Sequence, residues 1–221
     1  MKQLFLIAGL VATRAIAAPI AITGATALTG IGEQRIENAT IIIDGGRITA
    51  IGSGLAVPAG ATRVDASGHI ITPGIIAAAS DLGISEVNGV RETNDAGARQ
   101  SAFSAALDLS TAINPASLHF AINRMAGITR AVVMPDAGGT IFAGQGAVIS
   151  LAVDGLTITR ARAFQYVEMG ENGARLAGGS RPAAWAQLSN MLAEAARLAA
   201  NPAAFDRGQD SGSLTKRLDA E

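Results

Sequence analysis

From Ile20 to Thr72 apolar and polar residues alternate in short runs, the pattern of β-strands. Asn38-Ala-Thr-Ile-Ile-Ile-Asp44 and Arg47-Ile-Thr-Ala-Ile51 flank Asp44-Gly45-Gly46. Its glycines accept positive φ, which predicts an antiparallel hairpin. A loop punctuated by Gly and Pro over 53–60 leads to a strand at Thr62-Arg-Val-Asp65, a turn at Ala66-Ser67-Gly68 and the β-branched run His69-Ile-Ile-Thr72. Together these segments read as a small all-β unit.

After Pro73-Gly74 helical spacing enters. Leu118, Ala121, Ile122 and Met125 recur on one helical face, Asn114-Pro115 offers an N-cap and a first helical residue, and Gly127 ends the run. Ile128-Thr-Arg-Ala-Val-Val-Met134 follows as a buried strand stopped by Pro135. Helix then strand across a short link is the order of an α/β domain. A strand pair is expected within 140–154 and a further strand within 160–166. Pro182 to Ala200 is the clearest helix, with Trp185, Leu188, Leu192, Ala195 and Ala199 on one face and Asn201-Pro202 at its end. Residues 206–221 are polar and carry no apolar periodicity, as expected of a tail or a truncation point. The chain has no internal repeat.

The N-terminus changes the picture of where the protein works. Met1-Lys2 is basic, Leu4 to Val11 and Ala12 form an apolar run, and Ala15-Ile16-Ala17 is a small-x-small cleavage pattern. Residues 1–17 are thus expected to be a signal peptide, with the mature protein in the periplasm or secreted. The apolar run is too short to span a bilayer, and no later segment looks transmembrane, so no membrane association is expected after cleavage. There is no cysteine, so stability in an oxidising compartment must come from an ordinary core. The residues are 49% hydrophobic but only 4% aromatic, with many Ala and Gly, and this predicts a core of small side chains. A net charge of −1 with scattered arginines argues against a nucleic-acid partner.

Val64-Asp65-Ala66-Ser67-Gly68-His69-Ile70-Ile71-Thr72-Pro73-Gly74-Ile75-Ile76, together with Ile41-Ile-Ile-Asp-Gly-Gly-Arg-Ile-Thr-Ala-Ile-Gly52 upstream, closely resembles the amidohydrolase superfamily, in particular its imidazolonepropionase-like members. The resemblance implies an α/β fold with a small all-β subdomain. A β-sandwich portion would occupy 18–72 and a partial (β/α)8 TIM-type barrel 73–205. Such a barrel takes about 250 residues, more than remain after Pro73 in a chain of 221, so roughly half a barrel is expected. In catalytic members, Pro-Gly is followed after two residues by Asp-x-His-x-His, whose imidazoles hold a divalent metal. Here Ala77 stands at the aspartate position, and Ala79 and Asp81 occupy the two histidine positions. Alanine offers no lone pair, so no metal ligand is assigned. Zinc or another divalent ion is expected only if a longer chain supplies the ligands.

The two histidines do not restore the pair. His69 precedes Thr-Pro-Gly and is read as structural, and His119 lies in the helix after Asn114, where helices line the outside of such a barrel. Asp81, Glu86, Glu92 and Asp95 follow the first barrel strand, where these folds keep their chemistry. Asp81 and Glu86 are the candidate catalytic carboxylates, set against a favoured reading of the acidic stretch as a solvated loop; Asp81 by itself is read equally as a group that binds a metal or receives a hydrogen bond and as a loop cap. Gly138-Gly139 and Gly144-x-Gly146 lack the lysine and the loop-helix context of a phosphate cradle and are read as hairpin glycines. Ser80, Ser85 and Ser101 have no histidine nearby in sequence to activate them. No cofactor-binding residue is assigned.

Two functions follow from these readings. The parent is expected to be an exported, metal-dependent hydrolase of amide or cyclic-amide C–N bonds, with this chain alone inactive. The alternative is a non-catalytic relative that keeps the fold for ligand binding or assembly. Expected partners are a small amide substrate and, to close the half barrel, its remaining half or a second copy.

Overall fold

The computed structural model describes residues 18–87, 89–153, 155–203 and 219. The expected signal peptide and most of the polar tail lie outside them. The chain divides into two compact units, Met1–Pro73 and Gly74–Glu221.

The first unit is one mixed sheet. Its strands are β1 (Ile20–Leu28), β2 (Arg35–Asp44), β3 (Arg47–Ser53), β4 (Thr62–Asp65) and β5 (Ile70–Ile71), in the order β3-β2-β1-β4, with β5 also on β1. The β2–β3 hairpin forms where the sequence predicts it. Asp44 pairs with Arg47, and Gly45 and Gly46 take φ of 56° and 75°, the two positive values a tight primed turn requires. β4 and β5 both run parallel to β1, one after the other along the same edge. Between them Asp65 accepts hydrogen bonds from Ser67 N (2.9 Å) and Ser67 Oγ (2.6 Å), a local Asx turn. These bonds, with the nearby His69, lower the Asp65 pKa. The core of the sheet is made of small residues as expected: Ala21, Ala25, Ala27 and Ala39 are all but fully buried, together with Ile41.

The second unit has a four-stranded sheet ordered β6-β7-β8-β9, built from β6 (Ile75–Ser80), β7 (Ile128–Val133), β8 (Phe142–Ser150) and β9 (Ile158–Val167). β6 and β7 are parallel and joined through helix α1 (Leu118–Met125). β7, β8 and β9 are antiparallel, so the helix-strand alternation expected of a barrel is limited here to one crossover, and the described sheet is not closed. The short links 134–141 and 151–157 account for this, because a parallel return needs a connection of about a dozen residues. The segment 140–154, expected to hold a strand pair, contributes the single long strand β8. Gly144 and Gly146 lie inside β8, not in a hairpin turn. A Cβ on Gly146 would stand 2.1 Å from the Phe164 ring, and one on Gly144 would stand 2.7 Å from Leu107 O. Both glycines mark close approach.

Helix faces differ from those read off the sequence. In α1 the buried residue is Phe120, which packs with Gly83 and Ile113, while Leu118 and Met125 are 78% and 82% exposed. The N-cap is Ser117, whose Oγ accepts from His119 N at 3.3 Å. Asn114, the expected cap, instead accepts from Ala116 N one turn earlier. Helices α2 (Glu171–Leu176) and α3 (Arg181–Ala200) follow β9. In α3 Ala184, Glu194 and Leu198 are buried, Leu188 and Met191 pack against the core, and Trp185 and Leu192 face outward. Ser180 caps it, accepting from Ala183 N at 3.3 Å. The main core gathers Leu82, Ile84, Leu109, Phe120, Val133, Ile149 and others around β7 and β8. No helix of the described residues is long and apolar enough to cross a membrane.

Candidate functional site

β6 ends at Ser80, so Asp81 is the first residue beyond the strand, and the register against β7 shifts between Ala77 and Ser80. That irregularity interrupts the strict alternation by which a strand would present residues 79 and 81 on one side. Around this strand end is a cavity of about 420 Å³ walled by Ala79, Asp81, Ser85, Glu86, His119 and Asn123, among others. The fold therefore brings together the two candidate carboxylates and His119, a residue expected from its place in the chain on an outer helix. Glu92 and Asp95, from the same acidic stretch, do not line this cavity.

The groups in the cavity differ in freedom. Glu86 is clamped: Oε1 accepts from Asn114 Nδ2 and Oε2 from Ser117 Oγ, both at 3.0 Å. Its carbonyl oxygen lies 2.8 Å from His119 Nε2. A carbonyl only accepts, so Nε2 carries a proton, and in the neutral ring Nδ1 is left as the acceptor. Asp81 has no side-chain hydrogen bond or ion pair among the described residues, whereas its backbone carbonyl accepts from Ile84 N and Ser85 N. Asp81 is thus the available carboxylate, and Glu86 serves to tie the loop after β6 to the start of α1. Ser85 shares the cavity with His119, but no hydrogen bond joins them. Ser80 donates to Val132 O and Ser101 accepts from Phe103 N. His69 belongs to the first unit, where its Nδ1 meets Ser67 O at 3.1 Å.

A second cleft, of about 750 Å³, opens beyond the C-terminal end of β7 and is lined by Arg91, Asn94, Arg99, Asp136 and Gly138, among others. Sequence reasoning missed it. The available signal was Asp136 immediately after the strand-ending Pro135. The glycines here have a packing role: a Cβ on Gly138 would stand 3.0 Å from Arg99 Cα, and one on Gly97 3.0 Å from Asp136 O. Adjoining this cleft, Tyr166 donates to Glu168 Oε2 at 3.3 Å. Burial first, and then the charge and hydrogen bond of Glu168, with Asp136 beyond, raise the Tyr166 pKa above its usual value.

No protein-family model matches the chain, and no curated protein matches it. An amidohydrolase from Thermotoga maritima MSB8, a solved structure, superposes with a TM-score of 0.74 over 91% of this chain at 18% identity. The chain has the amidohydrolase fold. It spans 53% of that structure's length. A molinate hydrolase (32% identity, 31% of this chain and 15% of that one, TM-score 0.28) and a dihydroorotase (32%, 33% and 18%, 0.24) match shorter segments and carry no argument by themselves. The resemblance read from residues 41–76 is borne out at the level of the fold, and the imidazolonepropionase-like subtype is not distinguished.

Within an amidohydrolase fold, the resemblance places the first metal-binding pair at Ala79 and Asp81. Ala79 supplies no donor atom. No group of three or more His, Asp or Glu among the described residues is arranged to hold a metal ion. The donor set here does not fit a divalent metal, whose protein sites need about three ligands even when one position is left open. No chemical step is therefore derived through such an ion.

Proposed function

We propose that this chain is the front part of an exported amidohydrolase-type protein whose parent hydrolyses amide or cyclic-amide C–N bonds, and that the chain alone is inactive. On this reading the first sheet is part of a β-sandwich, and the β6–α1–β7 crossover opens a (β/α)8 barrel. Support comes from one observation. The amidohydrolase fold extends over 91% of this chain but about half of the solved structure it matches, while the strand end that should carry the metal pair carries Ala79 and Asp81. Any metal ligands must then come from other barrel strands. The residues described here supply the wall of the cleft, and the remaining barrel half, in the same chain or a second one, completes it. Export, to the periplasm or beyond the cell, rests on the basic start, the apolar run and the Ala15-Ile16-Ala17 pattern of residues 1–17.

Ala79 favours a second reading, a non-catalytic relative that binds a small amide-type ligand or a partner. Metal content separates the two. The mature protein is purified as this chain and as the longest reading frame containing it, and each is assayed by plasma mass spectrometry. Stoichiometric zinc in the longer form, absent from the shorter, is the expected result. Absence of metal from both forms overturns the hydrolase reading and leaves the binding role.

A further inference from the structure

The segment Ser101 to Asp108 crosses between two 3-10 turns, Arg91–Thr93 and Leu109–Ala112, and its backbone is only partly engaged in regular pairing. Ala105 points into the core beside Ile141, Phe142 and Ala184. The amides on either side of it, Ser104 N and Ala106 N, converge on one point. That point is occupied by Asp219 Oδ1, which accepts from Ser104 N at 2.9 Å and from Ala106 N at 2.8 Å. Two main-chain N–H groups aimed at a single oxygen form an anion-binding nest. Hydrogen bonds to an ionised acceptor are roughly twice as strong as neutral ones. The group held across 113 residues of sequence is a carboxylate.

The nest opens on an apolar space. Beside Asp219 lies a cavity of about 420 Å³ walled by Phe142, Ala186 and Met191, with Thr140, Gln187 and Asn190 at its polar positions. Its volume lies in the range of small-molecule pockets, and the combination of apolar walls with a few placed polar groups is typical of them. The cavity does not share Asp81, Glu86 or His119, and it is independent of the hydrolase reading.

We propose that the Ser104–Ala106 nest and the adjoining apolar cavity form a binding site for an aliphatic carboxylate, with Asp219 acting as a built-in competitor that occupies the nest when no ligand is bound. The headgroup takes the place of the Asp219 carboxylate on the two amides, and the aliphatic chain runs along Phe142 and Met191. A tethered carboxylate competes at an effective concentration in the millimolar range, so it weakens ligands of modest affinity without blocking the site. The amide donors are neutral, and among the described residues that line the cavity none is cationic. This favours a singly charged carboxylate over a phosphate, which would ask for more donors and more charge.

The test uses the full chain and octanoate, with the Ser104 and Ala106 amides followed by proton–nitrogen NMR. In Asp219→Ala both amides are expected to move upfield as they lose their acceptor and to return downfield as octanoate is added. The octanoate affinity is expected to be about tenfold tighter than in the unsubstituted protein. Octanol, of matching length but uncharged, should leave the two amides unmoved. Asp219→Asn keeps the side-chain shape while removing the charge and is expected to fall between the two, and it stands in if the alanine variant does not fold. Equal octanoate affinity with and without the Asp219 carboxylate overturns the proposal. So does an octanoate response that leaves Ser104 and Ala106 unmoved, or an octanol response equal to that of octanoate.

Discussion

Truncation of Glu86 to alanine tests whether that carboxylate is a structural clamp rather than a free acid. Its two oxygens receive Asn114 Nδ2 and Ser117 Oγ, each at 3.0 Å. A hydrogen bond to a charged group contributes roughly 1.5–3 kcal/mol when well formed. Glu86 is only half-buried and the Asn114 bond is exposed, so water can replace much of that bond. Ser117 is 6% exposed, and loss of its acceptor carries the larger part of the cost, since a buried polar group left unpaired costs about 1–3 kcal/mol. The net destabilisation expected is about 1–2 kcal/mol. Glu86→Gln, which keeps an acceptor but loses the charge, should cost about half as much. Urea unfolding followed by the fluorescence of Trp185, the only tryptophan and in the same unit, reads these values from the shift in midpoint at constant slope. A cycle with Ser117→Ala removes the capping role of Ser117 from the comparison. A cost for Glu86→Ala below about 0.5 kcal/mol, or no coupling to Ser117, would show that Glu86 is a solvated loop residue and refute the clamp.

Three further outcomes are expected. Tyr166 is the only tyrosine, so its phenolate absorbance titrates alone; its midpoint should lie above the usual value of about 10, and Glu168→Gln should bring it part of the way down, since burial is the first cause. Because the folded-state pKa is the raised one, the stability Tyr166 contributes is complete below the unfolded pKa and is lost as pH rises through the folded pKa, which alkaline unfolding of Tyr166→Phe against the parent measures. Gly146→Val drives a side chain into the Phe164 ring and should cost about 1–3 kcal/mol by overpacking; the cost should shrink when Phe164→Ala is combined with it, and additive urea midpoints would contradict the contact. Ser180→Ala removes the α3 cap and should cost about 1 kcal/mol, with no change in thermal midpoint as the contrary result.

The hairpin at Gly45-Gly46, the strands over Thr62–Asp65 and Ile128–Val133 and the C-terminal end of α1 were legible in the sequence because the forces that make them are local, whereas α1 begins at Leu118, about one turn after the start that Asn114-Pro115 predicts. Positive φ at a turn, β-branching and the spacing of apolar residues act over a few neighbours. The amidohydrolase fold was anticipated from the resemblance that residues 41–76 bear to that superfamily, not from their local pattern, which by itself predicts only short strands and turns. That Ala79 can supply no metal ligand could also be read directly, because no folding can give alanine a lone pair; that a ligand is expected there is what the resemblance implies.

What only the tertiary structure decided lies between residues distant in sequence. α1 is apolar on more than one side, and its spacing alone could not say that Phe120 rather than Leu118 and Met125 turns inward. Contact with Gly83 and Ile113 settles it. The antiparallel β7–β8–β9 order follows from link length and space. His119 stands beside Glu86 across 33 residues, and Asp219 meets Ser104 across 115. The cleft of Arg91, Arg99 and Asp136 joins loops with no shared motif. Local propensity acts between near neighbours, whereas a site is made by packing that brings distant loops within hydrogen-bond reach, and in this chain most of the candidate sites are of that second kind.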